Sequence, residues 1–596
     1  MEHRASASVN IIGFSGFYHD SAACLIQDGR VVAAVEEEKL TRLKHDSSFP
    51  VNAIRYCLRR GRITLADVDA IVFYENPEER TARLAWMANH PSAPDSTRRQ
   101  ILQSLDPDYY LHPVREVLGY DGDVYWRNHH ESHAASAFFF SGFADAALLV
   151  VDGVGEWATT SYGYANEDGL NLFEEVRFPH SLGLVYSALT AFLGFEVNDG
   201  EYKVMGLAPY GNPTYLNKLE ELVSFGDGGA FTVDQSCFDF FSATSMFTDR
   251  LELLLGHPPR TEEDPLAQFH CDLARSAQVL LEESLLRCAS FLARSTSSAR
   301  LCMAGGVALN CAANGRLQRE GLFEDLFVFP AAGDAGGAVG AASLLYREKI
   351  GRNLHLDRGF CPYLGPEFSD SEVRDFLDGT GLQFRDFEGR PEEMIRETSE
   401  RLASGAILGW FQGAAEFGPR ALGSRSILAD PRGDTTRDRV NRELKGREGF
   451  RPFAPAVLES AAHKFFDIDR PSPFMLVTYS RGVDGDLPAV THVDGSARVQ
   501  TVTFEQNPRF AGLLKEFGDL TGCPVLLNTS LNRRGEPTAC SLEDAIATFA
   551  QSGLDGIVVN SFMVLRTDVN QQWLETVRSK SSPSGPAVSA KVYAMF

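Results

Sequence analysis

The stretch at 128–156, NHHESHAASAFFFSGFADAALLVVDGVGE, constrains the fold and chemistry of this chain more than any other. His129 and His133 stand four residues apart in an alanine-rich segment that predicts a helix, so both imidazoles share one face. Asp152 ends the apolar run AALLVV, which predicts a buried strand with this carboxylate at its ligand-binding end. Two imidazoles and a carboxylate suit iron, zinc or manganese, and these residues do not choose among them. The alternative is a helix N-terminus with surface histidines and a structural aspartate.

Composition and charge exclude several classes of protein. The formal net charge of -24 argues against a nucleic-acid partner, because such binding depends on Lys and Arg side chains that neutralise phosphates. No apolar run reaches the roughly 18 residues of a membrane span, and the segment MEHRASASVN lacks the apolar core of a signal peptide. The ten cysteines form no CxxC pair, which is typical of reduced cysteines in a cytoplasmic protein. We therefore expect a cytoplasmic protein, with strands and helices alternating as in the α/β class.

The chain opens on an apolar strand at 9–16, followed by a small-residue turn that contains His19. Strands at 22–27 and 30–36 form a hairpin across Asp28-Gly29. This order is similar to the ribonuclease-H-like nucleotide-binding lobe of actin, hexokinase and Hsp70, in which paired lobes hold nucleotide in a cleft. The resemblance places His19 where a ligand would lie. The alternative is an Asx-type turn with a solvent-exposed histidine.

A second strand-turn-strand unit follows Asp152, has its hairpin at Asp168-Gly169, and resembles the first. We interpret it as the start of a second lobe that arose by internal duplication. In the Gly-rich segment beyond it, Glu201, Lys203 and Gly206 are predicted to lie in an exposed loop that holds a phosphate or carbamoyl oxygen. The alternative is a loop that caps a helix.

Two further strand ends carry glycines and polar side chains. The segment LCMAGGVALN predicts a strand that runs into Gly305 and Gly306, whose backbone N–H groups can approach a nucleotide closely, with Asn310 after them. The segment FVFPAAGDAGG predicts another strand with Asp334 at its end. Asp334 would be a fourth metal ligand, facing the two histidines and Asp152.

Taken together, HDSAACL, HHESHAASAF, VVDGVGE, EYKVMGLAPYG, AGGVALN and PAAGDAGGAVGAA resemble the NodU/CmcH-type O-carbamoyltransferase family of nodulation and antibiotic-tailoring enzymes. The resemblance extends from about 10 to 570. It implies an N-terminal half that is similar to the tRNA-modification transferase TsaD. This half is expected to bind iron or another divalent transition metal. The family's proposed catalytic histidine falls on His19. Its metal ligands fall on His129, His133, Asp152 and Asp334.

One stretch of the C-terminal half locally inverts the acidic charge of the chain. Five of its cations stand out within about thirty residues: Arg420, Arg425, Lys445, Arg447 and Arg451. Such a cluster indicates bound anions such as phosphates. The resemblance implies a YrdC-like domain here, which makes a carbamoyl adenylate. The cations and polar residues expected to hold phosphate, nucleotide or carbamoyl groups are Glu416, Arg420, Arg425, Ser426, Lys445, Arg447, Arg451, Arg498, Asn528, Ser530 and Asn532.

The resemblance also implies the reaction and the partners. ATP with Mg²⁺ converts carbamoyl phosphate into carbamoyl-AMP, and the carbamoyl group then passes to a hydroxyl of a small-molecule acceptor, a secondary metabolite. The expected catalytic residues are His19, Lys44, Arg420 and Arg451; for Lys44, in a charged run, the alternative is a solvated face. A homodimer is left open.

The expected domains are a TsaD-like domain at 1–350 with lobes of about 1–150 and 151–350, a YrdC-like domain at 360–575, and a flexible Ser/Pro/Ala-rich tail at 576–596. Two alternatives to O-carbamoyl transfer stay open. One is a tRNA-threonylcarbamoylating enzyme, which the acidic charge disfavours. The other is a nucleotide-gated binding module of the actin/Hsp70 kind, which leaves the cluster of cations unexplained.

Overall fold

The computed structural model describes residues 8–351, 354, 360–484, 486–580 and 593. The chain divides into two compact units. The first comprises Met1–Glu37, His45–Phe360 and Val588–Phe596, and the second comprises Glu38–Lys44 and Cys361–Ala587. The tail predicted at 576–596 lies mostly outside the described residues, so its flexibility stays a prediction.

Most strands of the first unit are apolar and β-branched runs, as is usual for buried strands. The strands are β1 (Asn10–Ser15), β2 (Ala22–Gln27), β3 (Arg30–Glu36), β4 (Ala70–Phe73), β5 (Val124–Trp126), β6 (Ala146–Val151), β7 (Ala158–Asn166), β8 (Gly169–Arg177), β9 (Val223–Phe225), β10 (Phe231–Val233), β11 (Arg300–Ala304) and β12 (Asp325–Val328). The two predicted hairpins are confirmed as β2–β3 and β7–β8.

The helices up to residue 351 include α1, which contains residues of both units. The helices are α1 (Glu37–Thr41), α2 (Val51–Gly61), α3 (Pro77–Asn89), α4 (Asp95–Ser104), α5 (Leu111–Pro113), α6 (His129–Ser141), α7 (Leu182–Phe192), α8 (Glu201–Leu207), α9 (Leu216–Glu220), α10 (Asp249–Leu255), α11 (Gln268–Thr296), α12 (Cys311–Glu320) and α13 (Asp334–Ile350).

Two sheets of the first unit share one topology. The first has the order β3-β2-β1-β4-β5 and the second has the order β8-β7-β6-β11-β12. In each sheet a central strand, β1 or β6, pairs antiparallel with a hairpin on one side and parallel with the next strand on the other. The repeated order supports the internal duplication inferred from the two hairpins.

Helix α13 packs closely against both the first sheet and helix α6. A Cβ at Gly13 of β1 would lie 2.1 Å from the Ala338 oxygen of α13, and a Cβ at Gly340 of α13 would lie 1.8 Å from the Ser132 oxygen of α6. Only glycine allows a backbone to approach this closely. These contacts place Asp334, the first residue of α13, beside the start of α6.

The second unit contains a mixed sheet of order β13-β22-β21-β14-β15-β20-β16-β19 and a small β17–β18 pair. Its strands are β13 (Arg385–Asp386), β14 (Leu408–Phe411), β15 (Arg425–Ala429), β16 (Ala454–Leu458), β17 (Thr478–Ser480), β18 (Ser496–Arg498), β19 (Gln500–Val502), β20 (Val525–Ser530), β21 (Gly556–Val559) and β22 (Phe562–Leu565). Its later helices are α14 (Asp370–Thr380), α15 (Pro391–Ala403), α16 (Thr436–Arg439), α17 (Ala462–Phe465), α18 (Pro508–Thr521), α19 (Leu542–Gln551) and α20 (Gln571–Lys580).

This sheet is covered on both faces, which explains its nearly continuous apolar strands. Successive strand residues point to opposite faces. In β14, Trp410 packs into one hydrophobic cluster and Phe411 packs into another. The protein is therefore of mixed α/β class. Among the described residues, none of the helices has the length and hydropathy to cross a membrane.

Candidate functional site

Four side chains converge in the first unit to form a buried cluster. His129 and His133 lie on the first two turns of α6, Asp152 directly follows β6, and Asp334 begins α13. The two Nε2 atoms are 3.0 Å apart. Asp152 Oδ2 lies 3.3 Å from His129 Nε2 and 3.1 Å from His133 Nε2, and the corresponding distances from Asp334 Oδ1 are 3.4 Å and 3.5 Å. Each residue is at most 3% exposed.

The spacing of these four atoms fits a divalent transition metal. At ligand distances of about 2.1 Å, a tetrahedral ion separates its ligand atoms by about 3.4 Å. The four atoms lie within 4.8 Å of one another. Two imidazole nitrogens and two carboxylate oxygens are a donor set that iron, zinc or manganese accepts. The cluster is therefore able to hold a metal.

Neighbouring groups fix the orientation of the ligands, as is usual around metal ions. Tyr74 donates its hydroxyl to Asp334 Oδ2 at 3.2 Å. The amides of Gly153 and Gly306 donate to Asp152 Oδ1 at 2.8 and 3.3 Å. Each carboxylate thus keeps one oxygen for the cluster and has the other held by the protein.

Charge pairing offsets the cost of burying the cluster. Burial acts to lower the pKa of His129, but the carboxylates of Asp334 and Asp152 outweigh it and raise that pKa well above its ordinary value. Burial acts to raise the pKa of Asp152. The imidazoles of His129 and His133 outweigh it and hold that pKa well below its ordinary value. The metal-free cluster therefore carries both signs of charge, and a bound cation would replace protons on the histidines.

A second constellation begins at His19, in the loop after β1. His19 Nδ1 lies 2.9 Å from Asp20 Oδ2, and Asp20 Oδ1 lies 2.7 Å from His45 Nδ1. His45 Nε2 is 3.3 Å from Asp199 Oδ1, so both ring nitrogens of His45 face carboxylates. Asp20 and His45 have φ of 55° and 54°, a left-handed backbone that is uncommon outside glycine. Asp20 orients the His19 ring through Nδ1, which leaves Nε2 as the nitrogen available to a substrate.

The electrostatics of His19 are set by Asp20. Burial acts to lower its pKa, but the Asp20 carboxylate, with help from Asp334, raises it to about 9, while His45 opposes this rise. The His19 ring lies 6.0 Å from the ring of Tyr593. Tyr593 also contacts Gly153, where a Cβ would lie 2.3 Å from its Cζ. His19, Tyr593 and the residue after Asp152 thus line one region.

The Gly305–Asn310 segment lies beside the cluster, but its Asn310 side chain is engaged elsewhere. Asn310 Oδ1 caps α12 by accepting from Ala313 N at 3.0 Å. The same side chain forms a reciprocal amide pair with Gln278, both hydrogen bonds being 3.0 Å. Gly305 has φ 90°, and a Cβ there would lie 2.3 Å from the Val151 oxygen. The Asn310 side chain is thus engaged by the protein itself, and its expected role in binding nucleotide stays a prediction.

The segment around Lys203 is a helix, so the prediction of an exposed loop there is wrong. Glu201, Lys203 and Gly206 lie in helix α8, and Gly206 is buried. Glu201 accepts hydrogen bonds from Ser187 Oγ at 2.7 Å and Asn198 N at 3.1 Å. The Glu201 carboxylate thus ties α8 to α7 and to the loop that precedes α8. The Lys203 Nζ lies 5.7 Å from the centre of the Phe195 ring.

In the second unit, three of the expected cations lie close together. Lys445 is buried, and its Nζ donates to Ser530 O, Asn532 O and Asn532 Oδ1 at 2.5, 2.9 and 2.6 Å. Burial, followed by the positive charges of Arg447 and Arg451, lowers the pKa of Lys445 well below its ordinary value. Like charges gathered in this way favour an anion between them.

Arg425 and Glu416 instead organise the loop between β14 and β15. Arg425 is 0% exposed, and its two Nη atoms donate to the carbonyls of Gln412, Ser424, Pro366 and Gly413. Glu416 Oε1 accepts hydrogen bonds from three backbone amides, those of Leu422, Ser424 and Arg425. Both side chains therefore stabilise this loop, and their expected role as phosphate or nucleotide ligands stays a prediction.

The remaining expected residues of this half are distributed over the sheet and its loops. Asn528 on β20 donates to Ala421 O and Gln500 Oε1, and Ser426 on β15 accepts from Gly423 N. Ser530 donates to Asn532 Oδ1 at 2.7 Å. Half-buried positions are occupied by Lys44, Arg420 and Arg498.

Several supporting residues were missed from the sequence. Tyr74 could have been found, because it follows β4 at the carboxyl end of a strand. Lys39 had no such signal: it is 5% exposed and donates to the carbonyls of Glu416 and Gly418 at 2.7 and 3.0 Å, which are remote in sequence.

Comparison with protein families decides the assignment. The model of the carbamoyltransferase N-terminus matches residues 10–343, and the model of the carbamoyltransferase C-terminus matches residues 399–566. The chain belongs to the carbamoyltransferase family. The resemblance of the six N-terminal motifs is thereby confirmed.

Individual relatives agree with this assignment. The chain is 43% identical to an uncharacterised protein of Synechocystis, over 95% of this chain and 99% of the relative. It is 39% identical to the nodulation protein NolNO of Sinorhizobium fredii, over 94% and 80%. It is 29% identical to the 3'-hydroxymethylcephem-O-carbamoyltransferase of Amycolatopsis lactamdurans, over 92% and 98%. The protein is an O-carbamoyltransferase.

Proposed function

We propose that this carbamoyltransferase makes carbamoyl-AMP from carbamoyl phosphate and ATP, and transfers the carbamoyl group to a hydroxyl of a secondary metabolite. The observation that carries this proposal is the buried cluster of His129, His133, Asp152 and Asp334 in the same unit as the Asp20-oriented His19. A bound metal can polarise the carbamoyl donor, and an oriented imidazole can accept the proton of the attacking alcohol.

The four cluster residues would hold the metal, with iron(II) the expected ion. Such an ion supplies Lewis acidity, which offsets negative charge on an oxygen of the carbamoyl donor. Gly153, Gly306 and Tyr74 keep the ligand carboxylates in place. His130 is excluded from this set, since its Nδ1 lies 2.7 Å from Ser161 Oγ.

His19 would act as the general base. Its Nε2 accepts the proton of the acceptor hydroxyl while the hydroxyl oxygen bonds to the carbamoyl carbon, and the bond from that carbon to the AMP oxygen breaks. The products are an O-carbamate and AMP. Asp20 stabilises the imidazolium that forms and holds the ring in one tautomer, the role that a buried carboxylate has beside a catalytic histidine.

The second unit would form the adenylate. One water hydrolyses carbamoyl phosphate to carbamate and inorganic phosphate. The carbamate oxygen then attacks the α-phosphate of Mg²⁺-bound ATP, which forms carbamoyl-AMP and releases pyrophosphate. Arg447 and Arg451, beside Lys445, would hold phosphate oxygens and offset charge in the transition state. The cluster of like charges around Lys445 supports this placement. Arg420, Arg498 and Lys44 are proposed to assist.

The fold assignments of the two halves are part of the proposal. The repeated sheet order of the first unit supports a TsaD-like pair of ribonuclease-H-like lobes, with the domain extending to about 350. The C-terminal match supports a YrdC-like domain at about 360–575.

Variants of the two proposed sites should fail at different steps. In His133→Ala, bound metal should fall from about one per chain towards zero and transfer should be lost, because one of four ligands is removed. Carbamoyl-phosphate-dependent exchange between ATP and pyrophosphate should persist. In Arg451→Gln, that exchange should fall by about 100-fold, with the metal retained. Metal is measured by elemental analysis and exchange with labelled pyrophosphate.

The matched control is His130→Asn, a buried neighbour outside the cluster, which should keep metal and both activities. If His133→Ala abolished exchange together with transfer, the proposal of two separate sites would be wrong.

A further inference from the structure

Arg83, on the second turn of α3, is a buried cation with unused hydrogen-bond donors. It is 0% exposed. Its Nη1 donates to the thioether of Met87, at 3.4 Å on the same helix, and its Cζ lies 5.9 Å from the centre of the Phe178 ring. Within the described residues its Nε and Nη2 have no hydrogen-bond partner, although both are buried. Burying a guanidinium without an anion is costly. A bound anion at Arg83 would offset that cost.

The neighbouring acids are committed to other groups. Glu75 Oε2 accepts from Tyr109 Oη at 3.0 Å and lies 3.5 Å from Arg80 Nε. Glu156 Oε1 accepts from the backbone amides of Asn76 and His129 at 2.7 and 2.8 Å. Neither acid forms an ion pair with Arg83 among the described residues.

Tyr18 supplies a second unused donor in the same place. It is 7% exposed, and its hydroxyl is buried without a partner in the described part of the chain. Burial raises the pKa of Tyr18; the charge of Arg83 lowers it, and the charges of Asp334 and Asp152 raise it. The hydroxyl is thus electrostatically close both to the guanidinium and to two residues of the metal cluster.

The position of both donors is that of a ligand site. Tyr18 follows β1, and α3 follows β4, two parallel strands of one sheet. In sheets of this kind ligands bind outside the carboxyl ends of the strands. A guanidinium and a hydroxyl together recognise an oxyanion, which accepts several hydrogen bonds at once.

We propose that Arg83 and Tyr18 form an oxyanion subsite beside the metal cluster. The inference rests on the proposed function for the identity of its occupant: the phosphate of carbamoyl-AMP, or a carboxylate carried by the acceptor. Both sources share the same chemistry, an anionic oxygen that pairs with Arg83 and accepts from Tyr18.

The test measures affinity for two probes by isothermal titration calorimetry. The full chain carries Arg451→Gln throughout, so that nucleotide binding in the second unit is suppressed, and the probes are AMP and acetate. Arg83→Met and Tyr18→Phe should each raise the Kd of one probe, by about 10-fold for Arg83→Met, the loss expected for a charge-assisted hydrogen bond. A raised Kd for AMP assigns the phosphate, and a raised Kd for acetate alone assigns the carboxylate.

The control is Arg80→Met, on the same helix. Arg80 is 6% exposed but paired with Glu75, so this variant should lose stability and keep both affinities. Arg83→Met should melt no lower than the parent, because it removes an uncompensated buried charge. Unchanged affinities in both Arg83→Met and Tyr18→Phe, or no binding of either probe by the parent, would overturn the subsite. Because calorimetry needs no turnover, a failure of the proposed reaction would be seen separately.

Discussion

At the scale of single residues, the chemistry of the first unit depends on how neighbouring charges change the pKa values of its histidines, those of the metal cluster and His19. In the cluster, carboxylates raise the pKa of His129 and imidazoles lower that of Asp152, so a metal competes with protons for the same atoms. At His19, the Asp20 carboxylate is in hydrogen-bond contact with the ring and raises its pKa, and the charge of His45, which also contacts Asp20, lowers it. Small changes in these partners should therefore move the pH range of transfer.

The transfer step should rise with pH towards the His19 pKa of about 9, because only the neutral ring accepts a proton. Asp20 raises that pKa, so Asp20→Asn should move the acid limb of the rate profile to lower pH. It should also reduce the maximal rate by about 100-fold, since the ring loses its orienting carboxylate. The measurement is single-turnover transfer from supplied carbamoyl-AMP across pH.

His45→Gln is the matched comparison. The charge of His45 lowers the pKa of His19, so its loss should move the acid limb to higher pH, opposite to Asp20→Asn. Shifts of both variants in the same direction would contradict the assignment of His19 as the titrating base.

At the scale of elements, two helices decide where the ligands meet. Helix α6 carries both histidines on one face, and α13 begins with Asp334. These helices approach through Gly340, whose missing side chain lets the α13 backbone lie against the Ser132 carbonyl of α6. The close contact is a property of the helix pair and not of either sequence segment alone.

Gly340→Ala should destabilise the first unit by about 1–3 kcal/mol, the usual effect of forcing an extra carbon into a packed interior. It should also weaken metal retention, because α13 must shift away from α6. Differential scanning calorimetry and metal analysis check the two effects.

Gly379→Ala in α14 is the control, since a Cβ there meets nothing within 4 Å. That change should be neutral or stabilise by about 0.5–1 kcal/mol, because alanine is the better helix former. Equal effects of the two substitutions would mean that the α6–α13 contact is not tight.

At the scale of the whole molecule, the net charge of the chain argues against the tRNA-modifying alternative. The chain carries a formal charge of -24 and a sequence pI of about 5.1. Binding to a polyanion depends on cations that neutralise phosphates. Three of the expected cations of the second unit, Lys445, Arg447 and Arg451, instead lie close together.

Addition of bulk tRNA at physiological salt should therefore leave carbamoyl-phosphate-dependent ATP turnover unchanged. Electrophoretic mobility should show no complex at micromolar protein. Stimulation of turnover by tRNA, lost on treatment with ribonuclease, would restore the threonylcarbamoylation alternative.

Local signals were sufficient for several features. The four-residue spacing of His129 and His133 predicted a shared helix face, the apolar run before Asp152 predicted a strand end, and Asp28-Gly29 predicted a hairpin. These are decided by backbone periodicity and turn chemistry, which operate over a few residues. The six N-terminal motifs likewise predicted the family.

The tertiary structure alone decided which polar groups remain available. Asn310, Glu416 and Arg425 match the expected pattern, but their hydrogen bonds go to amides and carbonyls of the protein itself. Arg83 and Tyr18 showed no pattern, and within the described part of the chain the fold leaves buried donors of both without a hydrogen-bond partner. The physical reason is that hydrogen-bond satisfaction and burial depend on residues brought together from distant parts of the chain, and local periodicity contains no information about those partners.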